Sequence, residues 1–282
     1  MRGTSARDAL EGAITAIAAS GCETPRLDAE LLLAHALGVS RERLIVDREL
    51  VLPGPPHPAV RAFQNAVRRR AVEREPVAYI VGLRGFRRLD LTVDHRALVP
   101  RPETELLVEV GLTLPRGVRV LDLGTGSGAV ALALKDERPD LHLTGSDLSE
   151  DALALARANA ERLGLEVAWM RADLLAGVPD EFDAILSNPP YVAESARGSL
   201  APEILRHEPP QALFSGPDGL TAIRALLAQV ANRARVATAA LEVGAGQAEE
   251  VSRLIREAGF GSVRVERDLA GSERVVVGER SG

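Results

Sequence analysis

The chain has 282 residues, 46% of them hydrophobic and 26% charged, which is ordinary for a globular protein of one or two domains. Its formal net charge of −6 argues against a general nucleic-acid binder. A single cysteine excludes a disulfide framework and a cysteine-based metal site, and it fits a reducing cytoplasm. No stretch of the sequence approaches the length of a membrane span, so we expect no membrane association.

Residues 1–75 are predicted to form a small helical domain. Apolar spacing and end signals indicate helices from Ser5 to Gly21, from Pro25 to Leu37 and from Ser40 to Asp47. A longer helix is predicted over residues 58–75. Its inward side chains would be Val60, Phe63, Val67 and Val72. Its outward face would carry Arg61, Arg68, Arg69, Arg70 and Arg74. Such a face is usually only solvated, and the alternative is a surface that docks a partner.

Residues 76–100 are predicted to link this helical domain to the rest of the chain. Alternation of apolar and polar side chains from Leu89 to Val93 indicates a strand, and residues 86–99 are compatible with a hairpin. The next segment reads Pro100-Arg101-Pro102-Glu103-Thr104-Glu105. Its second proline and its glutamates suit the first turn of a helix. A lid close to a bound ligand is the functional alternative.

Residues 101–282 are predicted to form an α/β domain. Strands are indicated over residues 118–123, 141–146, 167–172, 182–187, 236–243, 262–267 and 274–278. Helices separate most of them, which is typical of a doubly wound, Rossmann-like sheet of seven mostly parallel strands. Because no helix separates the last two strands, we expect one antiparallel edge.

A glycine-rich turn follows the first of these strands and reads Gly124-Thr125-Gly126-Ser127-Gly128. Glycines allow the backbone to turn sharply and to approach a ligand closely, as in a nucleotide-binding crevice. The turn lacks the lysine of a phosphate-binding Walker motif, which excludes that class. A dinucleotide fingerprint stays open, because Ala129 is a permitted residue at its sixth position.

Asp147 ends the second predicted strand of the α/β domain. A carboxylate at that place can accept hydrogen bonds from both hydroxyl groups of a ribose. Sites for NAD and sites for S-adenosylmethionine both use this device, so Asp147 does not decide between them. An aspartate that merely begins the turn before Ser149 is the structural alternative.

The segment Asn188-Pro189-Pro190-Tyr191 follows the fourth predicted strand. The two prolines end the strand ladder, and the residue before a proline is held extended. The Asn188 side chain and the Pro189 carbonyl would offer two acceptors to a planar NH2 group, with the Tyr191 ring beside it. A strand-ending turn with a buried tyrosine is the structural alternative. Together with Asp122, this NH2 grip favours a methyl donor, S-adenosylmethionine, over a hydride donor.

These motifs resemble the bacterial release factor glutamine methyltransferases over nearly the whole chain. The likeness rests on residues 74–82, 99–105, the glycine loop, 188–191, 267–271 and 274–275. Asn-Pro-Pro-Tyr is shared with many amino-directed methyltransferases, whereas its combination with Pro-Arg-Pro-Glu-Thr-Glu is much more specific. The resemblance implies a helical N-terminal domain that docks the substrate and a Rossmann-like methyltransferase domain acting in translation termination.

The resemblance also implies a reaction and its residues. The side-chain nitrogen (N5) of the glutamine in the Gly-Gly-Gln motif of class 1 release factors would be methylated, and S-adenosylmethionine would become S-adenosylhomocysteine. The implied cofactor positions are Gly124, Thr125, Gly126, Ser127, Gly128, Asp147, Asp173, Leu174 and Asn188. Asp173 would lie by the adenine amine and Leu174 against its ring. Asn188, Pro189, Pro190 and Tyr191 would receive the glutamine. No metal is implied, and we expect a monomer.

Three other functions are compatible with parts of this pattern. One is a glutamine methyltransferase that acts on a ribosomal protein. Another is an adenine N6-methyltransferase, which grips a similar NH2 group after base flipping but should need a basic channel. The third is a binding module that keeps the fold without catalysis. His207 is a conceivable general base, but we interpret it as a loop residue.

Overall fold

The computed structural model describes residues 5–47, 50–54 and 57–280. The chain divides into two compact units, one made of residues 1–83 with 201–207 and the other of residues 84–200 with 208–282. The division predicted from the sequence, at residues 75 and 100, stays a prediction about how the chain is organised functionally.

The first unit is helical where the structure describes it. Its helices before residue 84 are α1 (Ala6–Ala19), α2 (Pro25–Leu37), α3 (Arg41–Val46), α4 (Pro58–Arg68) and α5 (Val77–Val81). The predicted end signals are confirmed, because the Ser5 hydroxyl accepts from the Asp8 backbone amide and Gly38 ends α2 in the left-handed conformation. The buried faces of α1, α2 and α4 share one apolar core that includes Ile17, Leu32 and Phe63.

The prediction of one continuous α-helix over residues 58–75 is wrong after Arg68, where α4 ends. A π-helical turn over Arg69–Glu73 follows α4, and Arg74 then takes a φ of 59°. A π turn holds one residue more than an α turn, so it rotates the following side chains relative to α4. Arg70, predicted to point outward, is 6% exposed, and Val72, predicted to point inward, is 68% exposed.

Arg70 is buried because acidic partners surround its guanidinium group. Its Nε donates to Asp28 Oδ2 at 2.6 Å, and its Nη2 donates to Glu203 Oε1 at 3.2 Å. Arg74 donates to the other oxygen of Glu203 at 2.6 Å. Of the arginines that were predicted to form one outward face, Arg61 and Arg68 are the exposed ones. The segment 201–207 is thus held within the first unit by ion pairs.

The second unit is built on a parallel sheet, as predicted. A short two-stranded sheet, β1 (Leu83–Phe86) and β2 (Leu89–Thr92), comes first in the chain. The large sheet contains β3 (Arg119–Leu123), β4 (His142–Asp147), β5 (Ala168–Arg171), β6 (Ala184–Ser187), β7 (Thr238–Glu242), β8 (Ser262–Arg267) and β9 (Glu273–Glu279). Among the described residues its seven strands lie in the order β5-β4-β3-β6-β7-β9-β8.

Helices cover this sheet and connect its strands. They are α6 (Glu105–Leu112), α7 (Ala129–Glu137), α8 (Glu150–Leu163), α10 (Thr221–Val230) and α11 (Ala248–Glu257). The helix α9 (Pro202–His207), which also lies in this part of the sequence, belongs to the first unit. A 3-10 turn over Pro102–Thr104 precedes α6, as the first-turn proline predicts.

Two strand predictions need correction. The hairpin predicted within residues 86–99 lies earlier, over residues 83–92, because Leu83 to Phe86 pair with the predicted strand. The antiparallel strand is not at the edge of the large sheet. β9 lies between β7 and β8 and runs antiparallel to both, so the edge strand β8 has the direction of the parallel strands. The buried valines 275–277 of β9 explain why that strand takes an interior position.

Trp169 on β5 packs closely beneath the glycine loop. A Cβ atom added to Gly128 would lie 3.0 Å from its ring, and one added to Gly145 of β4 would lie 2.3 Å from it. The two positions therefore need glycine for packing, and Gly128 also needs it for its φ of 86°.

The buried Arg70–Asp28 pair gives a stability prediction. In Asp28→Ala, Arg70 keeps a buried charge without its nearest partner, so local unfolding of the first unit should become about 3 kcal/mol easier. Hydrogen exchange of the full chain, followed by mass spectrometry on peptides from α1 and α2, measures this as roughly a hundredfold faster exchange.

Arg68→Ala is the matched control, because the side chains of Arg68 and its partner Glu73 are 60% and 42% exposed. Its effect should stay below about 0.5 kcal/mol. Exchange rates in Asp28→Ala as slow as those of the unmodified chain would contradict a stabilising role of the pair.

Candidate active site

A cavity of about 720 Å³ lies at the carboxyl ends of the parallel strands. Such a place is where open α/β sheets bind ligands. Of the predicted site residues, the cavity is lined by Gly124, Thr125, Gly126, Ser127, Asp147, Asp173, Leu174, Asn188, Pro189 and Pro190. Gly128 and Tyr191, the two remaining predicted residues, are not among its lining residues. The structure therefore brings the glycine loop and Asn-Pro-Pro to one cavity.

The glycine loop is held by the strand beside it. The backbone amides of Gly124 and Thr125 both donate to the Ser146 carbonyl, at 2.8 and 2.9 Å. Gly124 and Gly126 have φ angles of 73° and 56°, a conformation that side chains disfavour. A Cβ at Gly124 would also lie 3.7 Å from the Asn188 carbonyl oxygen. The loop thus runs closely past the end of β6, where the predicted acceptor site begins.

Asp147 ends β4 and binds the loop through its carboxylate. Its Oδ2 accepts from the Gly126 amide and its Oδ1 from the Ser149 amide, each at 2.9 Å. Burial raises the pKa of Asp147. A carboxylate oxygen has two lone pairs, so each can accept one more hydrogen bond from the cavity side. The turn interpretation and the ligand interpretation of Asp147 are therefore compatible with each other.

Asp122 supports the loop from within the core. It is 2% exposed, and its Oδ2 accepts from the Thr125 hydroxyl at 2.6 Å and from the Ala131 amide at 3.1 Å. Burial raises the pKa of Asp122 to about 6, although both hydrogen bonds lower it. Asp122 therefore connects the end of β3 with the beginning of α7 across the turn.

Asp173 and Leu174 follow β5 and line the same cavity. Leu174 has a φ of 51°, which costs a leucine about 1 kcal/mol. The Leu175 amide donates to Gln229 Oε1 at 2.8 Å, and the Ala176 amide donates to the Asp173 carbonyl at 3.0 Å. These bonds hold the strained turn, whose side chains then form one wall of the cavity.

Asn188 is joined to residues from two other elements. Its Nδ2 donates to the Thr104 hydroxyl at 3.1 Å, and that hydroxyl donates to Glu242 Oε2 at 2.7 Å. Thr104 is the last residue of the 3-10 turn, and Glu242 is the last residue of β7. The Pro-Arg-Pro-Glu-Thr-Glu segment therefore does more than begin a helix, because it brings a hydroxyl to the Asn188 side chain.

Tyr191 lies on the far side of the same network. Its hydroxyl donates to Glu242 Oε1 at 3.1 Å, and its backbone carbonyl accepts from Gln247 Nε2 at 3.0 Å. Burial and the neighbouring Glu242 raise the pKa of the Tyr191 phenol. A Cβ at Gly219 would lie 2.2 Å from the Tyr191 carbonyl oxygen, so the segment after the two prolines is tightly enclosed.

Glu242 joins these residues through both carboxylate oxygens, and the sequence did not predict it as a candidate site residue. It is 1% exposed, and burial raises its pKa to about 7. Its signal in the sequence was a glutamate between Leu241 and Val243, at the carboxyl end of an apolar strand. A buried carboxylate needs hydrogen-bond partners, and at the end of a strand it is a candidate for a functional role.

His207 is not among the residues that line this cavity, and it lies in a helix, not in the loop that we expected. It is the last residue of α9, and its Nε2 lies 2.8 Å from the Glu73 carbonyl oxygen within the first unit. Glu208, the next residue, accepts two hydrogen bonds from Arg101, at 2.6 and 2.7 Å. Arg101 lines the cavity, so this buried glutamate positions a cationic side chain at it.

The described residues contain neither a membrane-spanning helix nor a metal-binding cluster. None of the helices in the described ranges combines the length and the apolar character that crossing a bilayer requires. The same residues contain no group of three or more His, Cys, Asp or Glu side chains arranged to hold a metal ion.

Comparisons with known proteins match both halves of the chain. The profile of the family described as "Methyltransferase small domain" matches residues 102–252. The profile described as "PrmC N-terminal domain" matches residues 8–82. The fold is shared with a methyltransferase from Pyrococcus furiosus, whose crystal structure is 18% identical and superposes with a TM-score of 0.54. That comparison covers 79% of this chain and 98% of the other.

Two curated relatives are similar over nearly their whole length. The release factor glutamine methyltransferase of Cereibacter sphaeroides is 44% identical over 96% of this chain and 97% of its own. The enzyme with the same name from Deinococcus radiodurans is 41% identical over 98% of this chain and 99% of its own. Identity at this level over both domains confirms the resemblance of the motifs, and the chain belongs to the release factor glutamine methyltransferase family.

Proposed function

We propose that this chain transfers a methyl group from S-adenosylmethionine to the side-chain nitrogen of a glutamine, the one in the Gly-Gly-Gln motif of class 1 release factors. The observation that carries the proposal is the joint lining of one cavity by the glycine loop, Asp147 and Asn188-Pro189. Membership of the family supports the choice of glutamine and of release factors.

The residues of the cavity fit S-adenosylmethionine. Gly124 and Gly126 have no side chains, so a ligand can approach the backbone closely at these positions. The Asp147 carboxylate can still accept hydrogen bonds from ribose hydroxyls. Asp173 and Leu174 offer a carboxylate and an apolar wall for an adenine. When bound, this cofactor supplies a methyl group made electrophilic by a sulfonium centre, and S-adenosylhomocysteine is the product.

The glutamine would be held by two oxygen atoms of the Asn-Pro-Pro segment. Amide nitrogen is a poor nucleophile because its lone pair is delocalised into the carbonyl. Asn188 Oδ1 and the Pro189 carbonyl would accept the two NH2 hydrogens and aim the nitrogen at the methyl group. As the new bond forms, these hydrogens become more acidic, so both hydrogen bonds strengthen in the transition state. Proton loss can follow methyl transfer, and no strong general base is then required.

From the sequence we expected the Tyr191 ring to lie beside the substrate NH2 group, but Tyr191 is not among the residues that line the cavity. Its hydroxyl donates to Glu242 instead. We propose that Tyr191 holds the acceptor segment in place from behind, with Pro190 forming part of the cavity wall.

The helical first unit would provide the surface that docks the release factor. Among its arginines, Arg61 and Arg68 are exposed on α4, whereas Arg70 and Arg74 are used internally by Asp28 and Glu203. We therefore restrict the docking proposal to the exposed pair. The partner would be recognised by its Gly-Gly-Gln loop. We propose that the enzyme itself is a monomer.

The cofactor proposal predicts the effect of changing Asp147. Asp147→Ala should weaken the binding of S-adenosylhomocysteine by about 1–3 kcal/mol in titration calorimetry, because ribose hydroxyls lose their acceptor. Asp151→Ala, an exposed aspartate in the first turn of α8, is the control and should bind normally.

A second ligand separates loss of the ribose contact from damage to the loop. The 2′-deoxy analogue should bind the unmodified chain more weakly but should bind Asp147→Ala as well as the parent compound does. Equal affinity of the unmodified chain for both ligands would contradict a hydrogen bond between Asp147 and the ribose.

The acceptor proposal predicts the kinetics of Asn188→Ala. This change removes one of the two oxygen acceptors, so kcat with release factor should fall by roughly a hundredfold, equivalent to about 3 kcal/mol. Cofactor affinity should change far less. The measurement is incorporation of labelled methyl groups, with the modified peptide located by mass spectrometry.

The substrate tests the same proposal from the other side. A release factor whose Gly-Gly-Gln glutamine is changed to glutamate has no NH2 group and should not be methylated. Labelling of that variant at the normal rate would overturn the glutamine assignment. Labelling of a ribosomal protein or of adenine in nucleic acid, with none in release factor, would favour one of the rival functions.

The docking proposal predicts that charge reversal on α4 acts on substrate binding. Arg61→Glu combined with Arg68→Glu should raise KM for release factor several-fold, with a salt-dependent effect, and leave cofactor affinity unchanged. Arg256→Glu, an exposed change near the end of α11, is the control. An unchanged KM in the double variant would remove this face from docking.

A further inference from the structure

We propose that Glu242 and Thr104 are positioning residues that determine which way the Asn188 carboxamide faces. The inference rests on the proposed function, in which Asn188 presents an oxygen atom to the substrate nitrogen. It assigns a purpose to a buried glutamate and to the Pro-Arg-Pro-Glu-Thr-Glu turn, neither of which touches the reacting atoms in the mechanism above.

Asn188, Thr104 and Glu242 form one directed chain of hydrogen bonds, to which Tyr191 also donates. Glu242 Oε1 and Oε2 accept from the hydroxyls of Tyr191 and Thr104, at 3.1 and 2.7 Å. The Thr104 hydroxyl has a single proton, which it gives to Glu242, so toward Asn188 its oxygen can only accept. The group of Asn188 that lies 3.1 Å from it is accordingly the NH2 group.

This direction matters because a carboxamide can turn over with little change in shape. The two orientations differ only in which position the oxygen takes and which the nitrogen takes. With nitrogen committed to Thr104, the oxygen is the atom available to accept from a substrate NH2 group. In the opposite orientation an NH2 group would meet the NH2 group of the glutamine, donor against donor, and the transition state would lose one of its two acceptors.

A carboxylate is the group best suited to position 242, where this series of hydrogen bonds ends. It accepts at both oxygens and donates from neither, so both hydroxyls must point toward it. A glutamine at position 242 would present one NH2 group, which would have to donate to Thr104 or Tyr191. If it donated to Thr104, the Thr104 proton would turn toward Asn188 and favour the unproductive orientation of the carboxamide.

Protonation of Glu242 would have the same consequence as a glutamine at position 242, because the carboxyl group would then also donate a hydrogen bond. Burial raises its pKa to about 7, and the charge of Glu103 raises it as well, whereas the hydrogen bonds of Thr104 and Tyr191 and the charge of Arg274 lower it. Arg274 on β9 is in turn paired with Asp268 at 2.8 Å. Above pH 7 the carboxylate keeps both hydroxyls as donors to it. As the pH falls through about 7, a protonated Glu242 donates and the rate should fall.

The first test compares Glu242→Gln with the unmodified chain on intact release factor. At pH 8 we expect kcat to fall roughly tenfold or more, while KM and cofactor affinity change by less than about twofold. The acid limb of kcat near pH 7 should be absent in the variant. A variant that keeps the kcat of the unmodified chain, or keeps that acid limb, would overturn the proposal.

Stability measurements distinguish positioning from a merely structural role. Glu242→Gln removes a buried charge, so at pH 8 its thermal midpoint should be no lower than that of the unmodified chain. Glu249→Gln, at an exposed position on α11, is the matched control and should leave kcat and its pH profile unchanged. A fall in kcat that is matched by loss of folded protein would overturn the positioning role of Glu242.

Thr104 provides an independent pair of variants. Thr104→Val keeps the shape but removes the hydroxyl, so it should lower kcat roughly tenfold, and Thr104→Ser should restore kcat to within about threefold. Equal rates for the two would overturn the proposal, even if Glu242→Gln fails to fold. Failure of the proposed function itself would look different, because the unmodified chain would then not methylate release factor at all.

Discussion

The parallel register of β3, β4, β6 and β7 is the constraint on which the site depends. Leu123 is aligned with Ser146 on one side and with Ser187 on the other, and Ser187 is aligned with Leu241. The buried Ser187 hydroxyl donates to the Leu123 carbonyl at 2.7 Å, which satisfies a buried polar group near the end of both strands. Because the strands end level with one another, the residues after β3, β4 and β6 meet in one cavity, and Glu242 at the end of β7 bonds Thr104, which lines it.

Much of this site is predictable because its signals are local. Glycine at a sharp turn, a carboxylate at a strand end and Asn before two prolines each reflect the chemistry of a few neighbouring residues. The alternation of strands and helices then implies that these ends meet at one edge of a parallel sheet. Periodicity predicted β8 over its whole length, and it predicted β3, β4 and β5 to within about two residues at each end.

The parts that escaped prediction depend on contacts between distant residues. The burial of Arg70 depends on Asp28, 42 positions earlier, and on a π turn for which the sequence holds no simple signal. The interior place of β9 depends on strand pairing that no local pattern specifies. The network around Glu242 joins residues 104, 188, 191 and 242, so its members acquire a common role only when the sheet is assembled.

The packing of Trp169 has a consequence for spectroscopy. It is the sole tryptophan of the chain, and its ring lies against Gly128 and Gly145, directly below the loop that borders the cavity. The tryptophan emission of the protein therefore originates from one indole, whose surroundings include the backbone of the glycine loop. Intensity or lifetime of that emission should report on the loop in the native molecule, without an added label and without a second fluorophore of the same kind to separate from it.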